Sequence, residues 1–340
     1  MSRSRGESAA LSIGVECART APMSVPASFP MRVTDYYRRL GEGPGGEPVR
    51  RQYERSEAES VLSPWELEDP LGESRYEVTD RLVHRYPDRV LLLVTDRCFV
   101  HCRHCLRRHF TGVENRHIGD AELEAAAAYV DAHPEVREVI ISGGDGLAPS
   151  TDRLREVFER LRRRRGDLIL RLGTRAPAVA PYRMDEKTAT ALAEAQPLWL
   201  VTQFNHPREL TEEASAALSR PIDSGVPVVN QTVLLAGVND DVAVLEELFR
   251  ELLVRRVKPY YLFQGDLARG TSHLRVPLAR GVEIVRELRR RLSGLAMPTY
   301  AVDLPGGGGK VPLTESYFEE EEEEAYVFRN LEGERFRYPK

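Results

Sequence analysis

The chain has 340 residues, of which 41% are hydrophobic and 30% charged, and its formal net charge is -5. A chain of this length can bury one large core. The charge balance excludes a strongly basic nucleic-acid binder, and no apolar run approaches the roughly 18 residues of a membrane span. The four cysteines, three of them crowded together, do not form a disulfide framework. We therefore expect a cytoplasmic protein, without membrane or nucleic-acid partners, whose thiols bind a ligand.

The N-terminal part of the chain is predicted to lie outside the main domain. Residues 1–33 are rich in Ser, Ala and Pro and are predicted to be disordered, with Cys17 unliganded. Residues 34–84 are predicted to form an N-terminal helical region, in which the segment GEGPGGEP is a turn.

Between residues 85 and 310, short apolar runs alternate with longer segments of helical period. This alternation predicts an α/β fold with a parallel sheet covered by helices, and it is compatible with a partial barrel and with a doubly wound sheet. In both architectures the catalytic groups lie at the carboxyl ends of the strands. The predicted strands span 90–95, 138–142, 168–172, 198–204, 227–234, 259–263 and 298–302, and the predicted helices span 120–133, 151–165, 185–196, 211–224, 240–256 and 279–292.

The first predicted strand is followed by DRCFVHCRHCLRR, which contains Cys98, Cys102 and Cys105. Three thiolates in this spacing suit an iron–sulfur cluster, because sulfur is a soft ligand for iron. A four-iron cluster with three protein ligands leaves one iron open to a substrate or cofactor. A structural zinc, completed by one of the neighbouring histidines, is the alternative.

After the last predicted strand, Lys310 follows four glycines in DLPGGGGKVP. The Val and Pro behind it argue against a nucleotide phosphate loop, which requires Ser or Thr after the lysine. Glycines let the backbone bend closely round a ring or a phosphate, so the functional interpretation is a lysine that forms a Schiff base. A surface lysine on a flexible loop is the alternative. Residues 311–340 are predicted to be a C-terminal tail, in which the glutamate run at 319–324 is a solvated, self-repelling loop.

Several motifs, in order along the chain, carry a resemblance to a known family. The cysteine spacing, together with SGGD after the second predicted strand, resembles the radical S-adenosylmethionine (SAM) superfamily. Over residues 80–313 the chain is similar to the lysine 2,3-aminomutase family, the pyridoxal phosphate (PLP) branch of that superfamily, in motifs that include VHRYPDR, ISGGD, FNHP, NQTVLL and DLPGGGGK. The resemblance implies an α/β fold in which residues 85–310 form a partial (β/α)6 radical-SAM barrel.

The resemblance also implies three cofactors, namely a [4Fe–4S] cluster, SAM and PLP, and a residue set for each. Gln203 and Phe263 depart from the family pattern, since they replace a histidine and a tyrosine. The implied cluster ligands are Cys98, Cys102 and Cys105; the SAM residues are Ser142, Gly143, Gly144, Asp145, Gln203 and Gln231; the PLP residues are the catalytic Lys310 with Arg85, Tyr86 and Arg89; and the substrate residues are Arg107, Asp266 and Asp303.

The implied activity is that of an isomerase, which moves the α-amino group of a basic amino acid to C3 and so forms the β-amino acid. Asp266 and Asp303 would repel each other unless a cation lay between them, so a substrate with a distal positive charge is expected. L-lysine is favoured. An arginine 2,3-aminomutase and a lysine aminomutase that serves translation-factor modification are the alternatives, as is a non-catalytic binding module. The implied partners are an electron donor of flavodoxin or ferredoxin type and further copies of the chain in a homo-oligomer.

Overall fold

The computed structural model describes residues 29–314 and 316–340. Residues 31–340 form one compact unit, built around a ten-stranded sheet whose strands are neighbours in chain order. The predictions for residues 1–28, including Cys17, lie outside the described residues. Within the described ranges, no helix combines the length and the apolar character needed to cross a membrane.

The central strands of the sheet run parallel, and each pairs with the next along the chain. The seven predicted strands are confirmed to within two residues at each end. The strands of this sheet are β1 (Glu77–Thr79), β2 (Leu82–Tyr86), β3 (Arg89–Thr95), β4 (Glu138–Gly143), β5 (Ile169–Gly173), β6 (Leu198–Thr202), β7 (Val228–Leu234), β8 (Lys258–Gln264), β9 (Thr299–Leu304) and β10 (Gly309–Pro312).

Side chains on the parallel strands alternate between two environments, as the two-residue period of a strand requires. On β4, Val139 and Ile141 are fully buried, whereas Ile140 and Ser142 are half-buried. The buried set belongs to the main hydrophobic core. The half-buried set lies on the opposite face of the sheet, which is therefore the face with room for ligands.

The predicted helices are confirmed to within two residues at each end, and they lie in the connections between parallel strands. Their starts follow ordinary capping chemistry: Ser150, Asp185, Thr211 and Asp241 each accept a hydrogen bond from a backbone N–H of the first turn. The helices of the described residues are α1 (Asp35–Leu40), α2 (Glu47–Arg50), α3 (Asp120–Ala132), α4 (Thr151–Arg164), α5 (Ala176–Val179), α6 (Glu186–Glu194), α7 (Glu212–Asp223), α8 (Val242–Val254) and α9 (Leu278–Arg291).

The two edges of the sheet are antiparallel additions that contact each other. Strand β2 pairs with β3, and β10 pairs with β9. Across the gap between these edges, the backbone N–H of Lys310 donates a hydrogen bond of 3.3 Å to the Tyr86 hydroxyl. Strands β2 and β10 therefore come together, and the half-buried face of the sheet lies inside the curve.

The N-terminal region is less helical than predicted. Outside α1 and α2, residues 51–76 contain only the short 3-10 turns Glu57–Ser60 and Glu73–Tyr76, and residues 77–86 form β1 and β2. The prediction of a helix over this polar stretch was wrong, because its acidic side chains serve tertiary contacts. One example is Glu66, whose carboxylate accepts the backbone N–H groups of Gly270 and Thr271 at 2.9 and 3.2 Å.

The C-terminal residues form a separate antiparallel sheet of β11 (Phe318–Glu321), β12 (Ala325–Arg329) and β13 (Arg335–Pro339). The glutamate run is largely exposed, as predicted, but the prediction of a self-repelling loop was wrong. Its charges are compensated by β13 and the last residue, as in the Arg335–Glu319 pair at 2.7 Å and the Lys340–Glu321 pair at 2.8 Å. Val327 on β12 is buried, so one face of this small sheet is covered.

Candidate active site

The segment after β3 is folded into a closed loop by one buried carboxylate. Asp96 accepts hydrogen bonds from the backbone N–H groups of Glu114, Asn115 and Arg116 at 2.6–2.7 Å. Burial raises the pKa of Asp96, but the three N–H groups outweigh it, so the pKa lies below its usual value. The loop between these residues carries all three cysteines of the predicted cluster site.

The SGGD turn after β4 packs directly against the start of this cysteine loop. The Gly144 N–H donates to the Thr95 carbonyl at 2.7 Å, and the Asp145 N–H donates to the Arg97 carbonyl at 2.8 Å. A Cβ on Gly143 would lie 2.1 Å from the Thr95 oxygen, and one on Gly144 would lie 2.2 Å from the Arg97 oxygen. Both glycines are therefore required for the close approach of these two backbones, which sets the position of the cysteine loop.

The carboxylate of Asp145, predicted to contact SAM, is used by the chain itself. It accepts the Thr174 hydroxyl at 2.5 Å, the Arg175 backbone N–H at 2.8 Å and the Leu147 N–H at 2.9 Å. Burial raises the pKa of Asp145. The contacts join the end of β4 to the end of β5, and they place the Arg175 side chain beside the cysteine loop.

The three thiols lie close enough to influence one another. Burial, followed by the neighbouring cysteines, raises the pKa of Cys98 and of Cys105. The Arg175 guanidinium donates a hydrogen bond to the sulfur of Cys102 at 2.8 Å. A half-buried set of three soft donors, with one cation beside it, fits the chemistry of an iron–sulfur cluster that neutralises the thiolates.

Of the three histidines considered as zinc ligands, His101 is buried, His104 contacts a side chain outside the cysteine loop, and His109 is exposed. His104 contacts Gln203, with the His104 Nε2 and Gln203 Nε2 atoms 3.0 Å apart, and His109 is exposed. Burial, and then the charge of Arg175, lower the pKa of His104 well below its usual value. An amide nitrogen only donates, so the neutral His104 ring accepts at Nε2. Among residues 29–314 and 316–340, no three His, Cys, Asp or Glu side chains converge on a single metal ion.

The remaining predicted SAM residues lie near this end of the sheet. Ser142 is half-buried on β4, beside Gly143 and Gly144. Gln231 is half-buried on β7, where it pairs in register with Tyr261 of β8. Gln203 follows β6 and reaches the cysteine loop through His104. The structure thus links Gln203 to the cysteine loop, and it places Ser142 at the end of β4 and Gln231 in the middle of β7.

Lys310 lies on β10, directly opposite Asp303 of β9. Its Nζ is 2.5 Å from Asp303 Oδ2, and it lies 3.8 Å from the centroid of the Phe263 ring and 5.2 Å from that of Tyr261. Burial lowers the pKa of Lys310, although Asp303 opposes this shift. An amine held in such an environment is closer to its neutral, nucleophilic form than an exposed lysine is.

Near Lys310, one guanidinium nitrogen of Arg85 is buried without a hydrogen-bond acceptor, and a phosphate could supply that acceptor. Arg85 Nη2 is buried and makes no hydrogen bond to any described residue. It lies 3.6 Å from the position of a Cβ on Gly309, the residue before Lys310. A buried guanidinium nitrogen requires an acceptor, and phosphate oxygens are suitable ones. Arg85 and the lysine loop therefore fit the two ends of PLP.

Tyr86 contacts Lys310, and Arg89 lies over the Tyr86 ring, although neither residue follows a parallel strand. The Arg89 guanidinium carbon lies 4.0 Å from the centroid of the Tyr86 ring, and the Tyr86 hydroxyl accepts the Lys310 N–H. Both residues lie at the amino end of β3 or just before it, whereas the prediction placed the chemistry at the carboxyl ends of strands. The contact between the two edges of the sheet explains the difference.

Asp266 and Asp303 lie near each other, as the predicted pair requires. Burial, and then the charge of Asp303, raise the pKa of Asp266 to about 7. In this structure the cation between them belongs to the chain, since Lys310 bonds Asp303 and also lowers the pKa of Asp266. The site therefore holds more carboxylate than its own amine can neutralise.

Arg107, the predicted partner of a substrate carboxylate, is held by a residue that the sequence did not indicate. Its Nε and Nη2 donate to the Glu73 carboxylate at 2.7 and 2.6 Å. Nη1 makes no hydrogen bond to a described residue, so one edge of the guanidinium has capacity for a second carboxylate. Glu73 is positioned by Asp69, which accepts the backbone N–H groups of Glu73 and Ser74.

Comparisons with known proteins were made for the sequence and for the fold. The family model for Lysine-2,3-aminomutase matches residues 285–340, and that for a 4Fe-4S single cluster domain matches residues 88–187. The L-lysine 2,3-aminomutase of Acetoanaerobium sticklandii is 42% identical over 305 residues, which are 89% of this chain and 73% of that protein.

Two further proteins show a more distant likeness. The glutamate 2,3-aminomutase of Clostridioides difficile is 38% identical over 265 residues, covering 78% of this chain and 63% of that protein. A radical SAM methyltransferase structure from Sphaerobacter thermophilus superimposes with a TM-score of 0.44 at 21% identity, covering 65% of this chain and 68% of that one.

Proposed function

Because this chain belongs to the lysine 2,3-aminomutase family, whose members are isomerases that use a [4Fe–4S] cluster, SAM and PLP, we propose that it is a 2,3-aminomutase of L-lysine. It would move the amino group of the substrate from C2 to C3. The observation that carries this proposal is the placement of Asp266 and Asp303 beside Lys310, where two carboxylates share one amine. A substrate with a distal ammonium supplies the second cation.

In this proposal the cofactors are held by the residues described above. When bound, the cluster and SAM supply the radical that removes and returns a hydrogen atom, and PLP carries the migrating amino group. Lys310 would hold PLP through its amine, and Arg85, Tyr86 and Arg89 would hold the phosphate. The cluster is held by Cys98, Cys102 and Cys105, and SAM is bordered by Ser142, Gly143, Gly144, Gln203 and Gln231; Asp145 shapes the turn.

Asp303 is the carboxylate that Lys310 contacts and that the ammonium of a lysine substrate would also approach. In the structure, Asp303 is occupied by the Lys310 amine at 2.5 Å. The distal ammonium of lysine would be a second cation beside Asp303 and Asp266. Burial and the charge of Asp303 raise the pKa of Asp266, and a cation beside the two carboxyl groups would favour their charged forms.

At the other end of the substrate, Arg107 binds the α-carboxylate through its remaining edge. Glu73 occupies Nε and Nη2, which leaves Nη1 and the second hydrogen of Nη2 in the end-on geometry that suits a carboxylate. The substrate is thereby held at both ends, with C2 and C3 between them. Such two-point fixation provides the alignment that hydrogen transfer requires.

The proposed architecture is the partial (β/α)6 radical-SAM barrel, extended here by one further parallel strand and by β1, β2 and β10 at its edges. The hydrogen bond from Lys310 to Tyr86 supports this curvature, because it joins the two ends of the sheet. We further propose residues 85–310 as the catalytic domain, an electron donor of flavodoxin or ferredoxin type, a homo-oligomeric assembly and a cytoplasmic location.

The test is an anaerobic incubation of reconstituted protein with PLP, SAM, dithionite and an equimolar mixture of lysine, arginine, glutamate and leucine. Mass spectrometry after derivatisation detects the β-isomers, and the Lys310→Ala variant is the blank. Formation of β-lysine alone supports the proposal. A β-arginine product would retain the mechanism and change the substrate, whereas β-glutamate, or no β-isomer at all, contradicts the role of the two aspartates.

A further inference from the structure

Arg175 makes a contact with the cysteine loop that the proposed cofactor roles do not explain. It follows β5 and immediately precedes α5, and its side chain is 6% exposed. The Nη1 atom lies 2.8 Å from the sulfur of Cys102. Arg175 thus places a buried, permanently charged donor on one of the three thiols.

The guanidinium is held from several directions by a buried polar network. Its Nη2 atom donates to Glu209 Oε1 at 2.8 Å and to the Tyr37 hydroxyl at 2.8 Å, and it also donates to the side-chain oxygen Oε1 of Gln52. Glu209 is completely buried. Tyr37 lies on α1 and Gln52 just after α2, so the N-terminal helices reach the cysteine loop through this arginine.

The network also sets the balance of charge near the sulfur. Arg175 contributes one positive charge in direct contact with Cys102, and Glu209 contributes one negative charge on the far side of the guanidinium. Hydrogen bonds to cluster sulfurs and nearby charges both change the reduction potential of an iron–sulfur cluster. Removal of the arginine or of the glutamate should therefore shift that potential in opposite directions.

We propose that Arg175 is a positioning residue that stabilises the reduced cluster through Cys102, and that Glu209 moderates this effect. The inference rests on the proposed role of the three cysteines as cluster ligands. The step concerned is the transfer of one electron from a flavodoxin- or ferredoxin-type donor to the cluster. The cluster becomes more negative by one charge, and no bond is formed or broken. A donated hydrogen bond from a cation favours the more negative, reduced state.

The experiment is an anaerobic redox titration of the full-length reconstituted protein, with dithionite as reductant and electron paramagnetic resonance as readout. Arg175→Gln should shift the one-electron equilibrium at least tenfold toward the oxidised cluster, which is about 59 mV to more negative potential. Arg175→Lys, which keeps the charge, should shift it less. Glu209→Gln should move the potential in the positive direction.

Arg183→Gln is the control, because it removes a half-buried guanidinium by the same substitution. Arg183 bonds the Leu147 and Pro149 carbonyls and the Thr188 hydroxyl, and it makes no hydrogen bond to a cysteine. Its variant should keep the wild-type potential. Iron content is measured for every variant, so that a change of potential is compared at equal cluster loading.

The proposal is overturned if Arg175→Gln retains its iron and its potential equals that of the wild type. It is also overturned if Arg175→Gln and Glu209→Gln both lose iron while Arg183→Gln keeps it, since the network would then serve only cluster assembly. If Arg175→Gln alone loses iron, the reduction potential of Glu209→Gln decides: a positive shift supports the proposal, and a negative shift or none overturns it. A wild type that forms the cluster but no β-amino acid refutes the aminomutase proposal and leaves this titration valid.

Discussion

The ion pair between Arg107 and Glu73 leads to a prediction with a definite sign. Glu73→Gln keeps the size of the side chain but replaces one acceptor oxygen by an amide nitrogen, which can only donate. One of the two charge-assisted hydrogen bonds, now at 2.7 and 2.6 Å, is then lost, and a donor faces a donor. Arg107 should no longer be held with its free edge toward the substrate.

The expected size follows from the burial of the pair. The side chains of Arg107 and Glu73 are 18% and 13% exposed, so solvent screens the interaction only in part. A hydrogen bond to a charged group contributes roughly 1.5–3 kcal/mol, and about 1.4 kcal/mol corresponds to a factor of ten in an equilibrium constant. We expect the KM for lysine to rise roughly 10- to 100-fold, with a much smaller change in kcat.

The assay is the initial rate of β-lysine formation at varied lysine concentration, with PLP, SAM and reductant saturating. Glu68→Gln is the control, since Glu68 pairs with Arg269 at 2.7 Å but is 55% exposed, and it should leave the KM nearly unchanged. A lower KM in Glu73→Gln would refute the reasoning. That result would mean that Glu73 competes with the substrate carboxylate for Arg107.

Three further predictions concern pH, the cluster loop and the cofactor lysine. The KM for lysine should fall as the pH rises through about 7, because Asp266 is protonated below its raised pKa and charged above it. In the folded state Asp266 keeps its proton up to about pH 7, whereas in the unfolded state, where its pKa is near 3.8, it has already lost it. The Asp266 carboxyl therefore destabilises the folded protein increasingly as the pH rises between these two pKa values. Asp266→Asn should therefore raise the Tm of the cofactor-free protein at pH 8 and not at pH 4. Gly144→Ala should lose iron on reconstitution, because its Cβ would lie 2.2 Å from a backbone oxygen, whereas Gly166→Ala, with no atom within 4 Å, should load normally. Lys310→Ala should retain little PLP after desalting and keep its full iron content. Loss of both PLP and iron would contradict separate binding sites for the cluster and for PLP.

The strands and helices between residues 89 and 304 could be predicted because their signals are local. Alternation of buried and half-buried residues on β4, and capping residues such as Ser150 and Asp185, are visible in a window of a few positions. The cysteine spacing and the glycines of SGGD are likewise local motifs. Their order along parallel strands was sufficient to gather most of the candidate site.

The contacts that the sequence did not reveal join distant segments. Glu73 lies in a polar stretch that resembles a helix, and nothing in it indicates a partner at Arg107. Arg175 follows a predicted strand, but its contact with Cys102 depends on how the N-terminal helices pack against the cysteine loop. The glutamate run was misinterpreted for the same reason, since its counter-charges lie in a strand that begins at Arg335.

The hydrogen bond between Tyr86 and Lys310 joins residues that are 224 positions apart. During synthesis, the tyrosine leaves the ribosome long before the lysine, and every parallel strand must be made in between. A nascent chain that ends before β10 has the phosphate corner but no amine to anchor the coenzyme. The proposed covalent capture of the coenzyme by Lys310 therefore requires that nearly the whole polypeptide has been translated and that β10 has returned to β2.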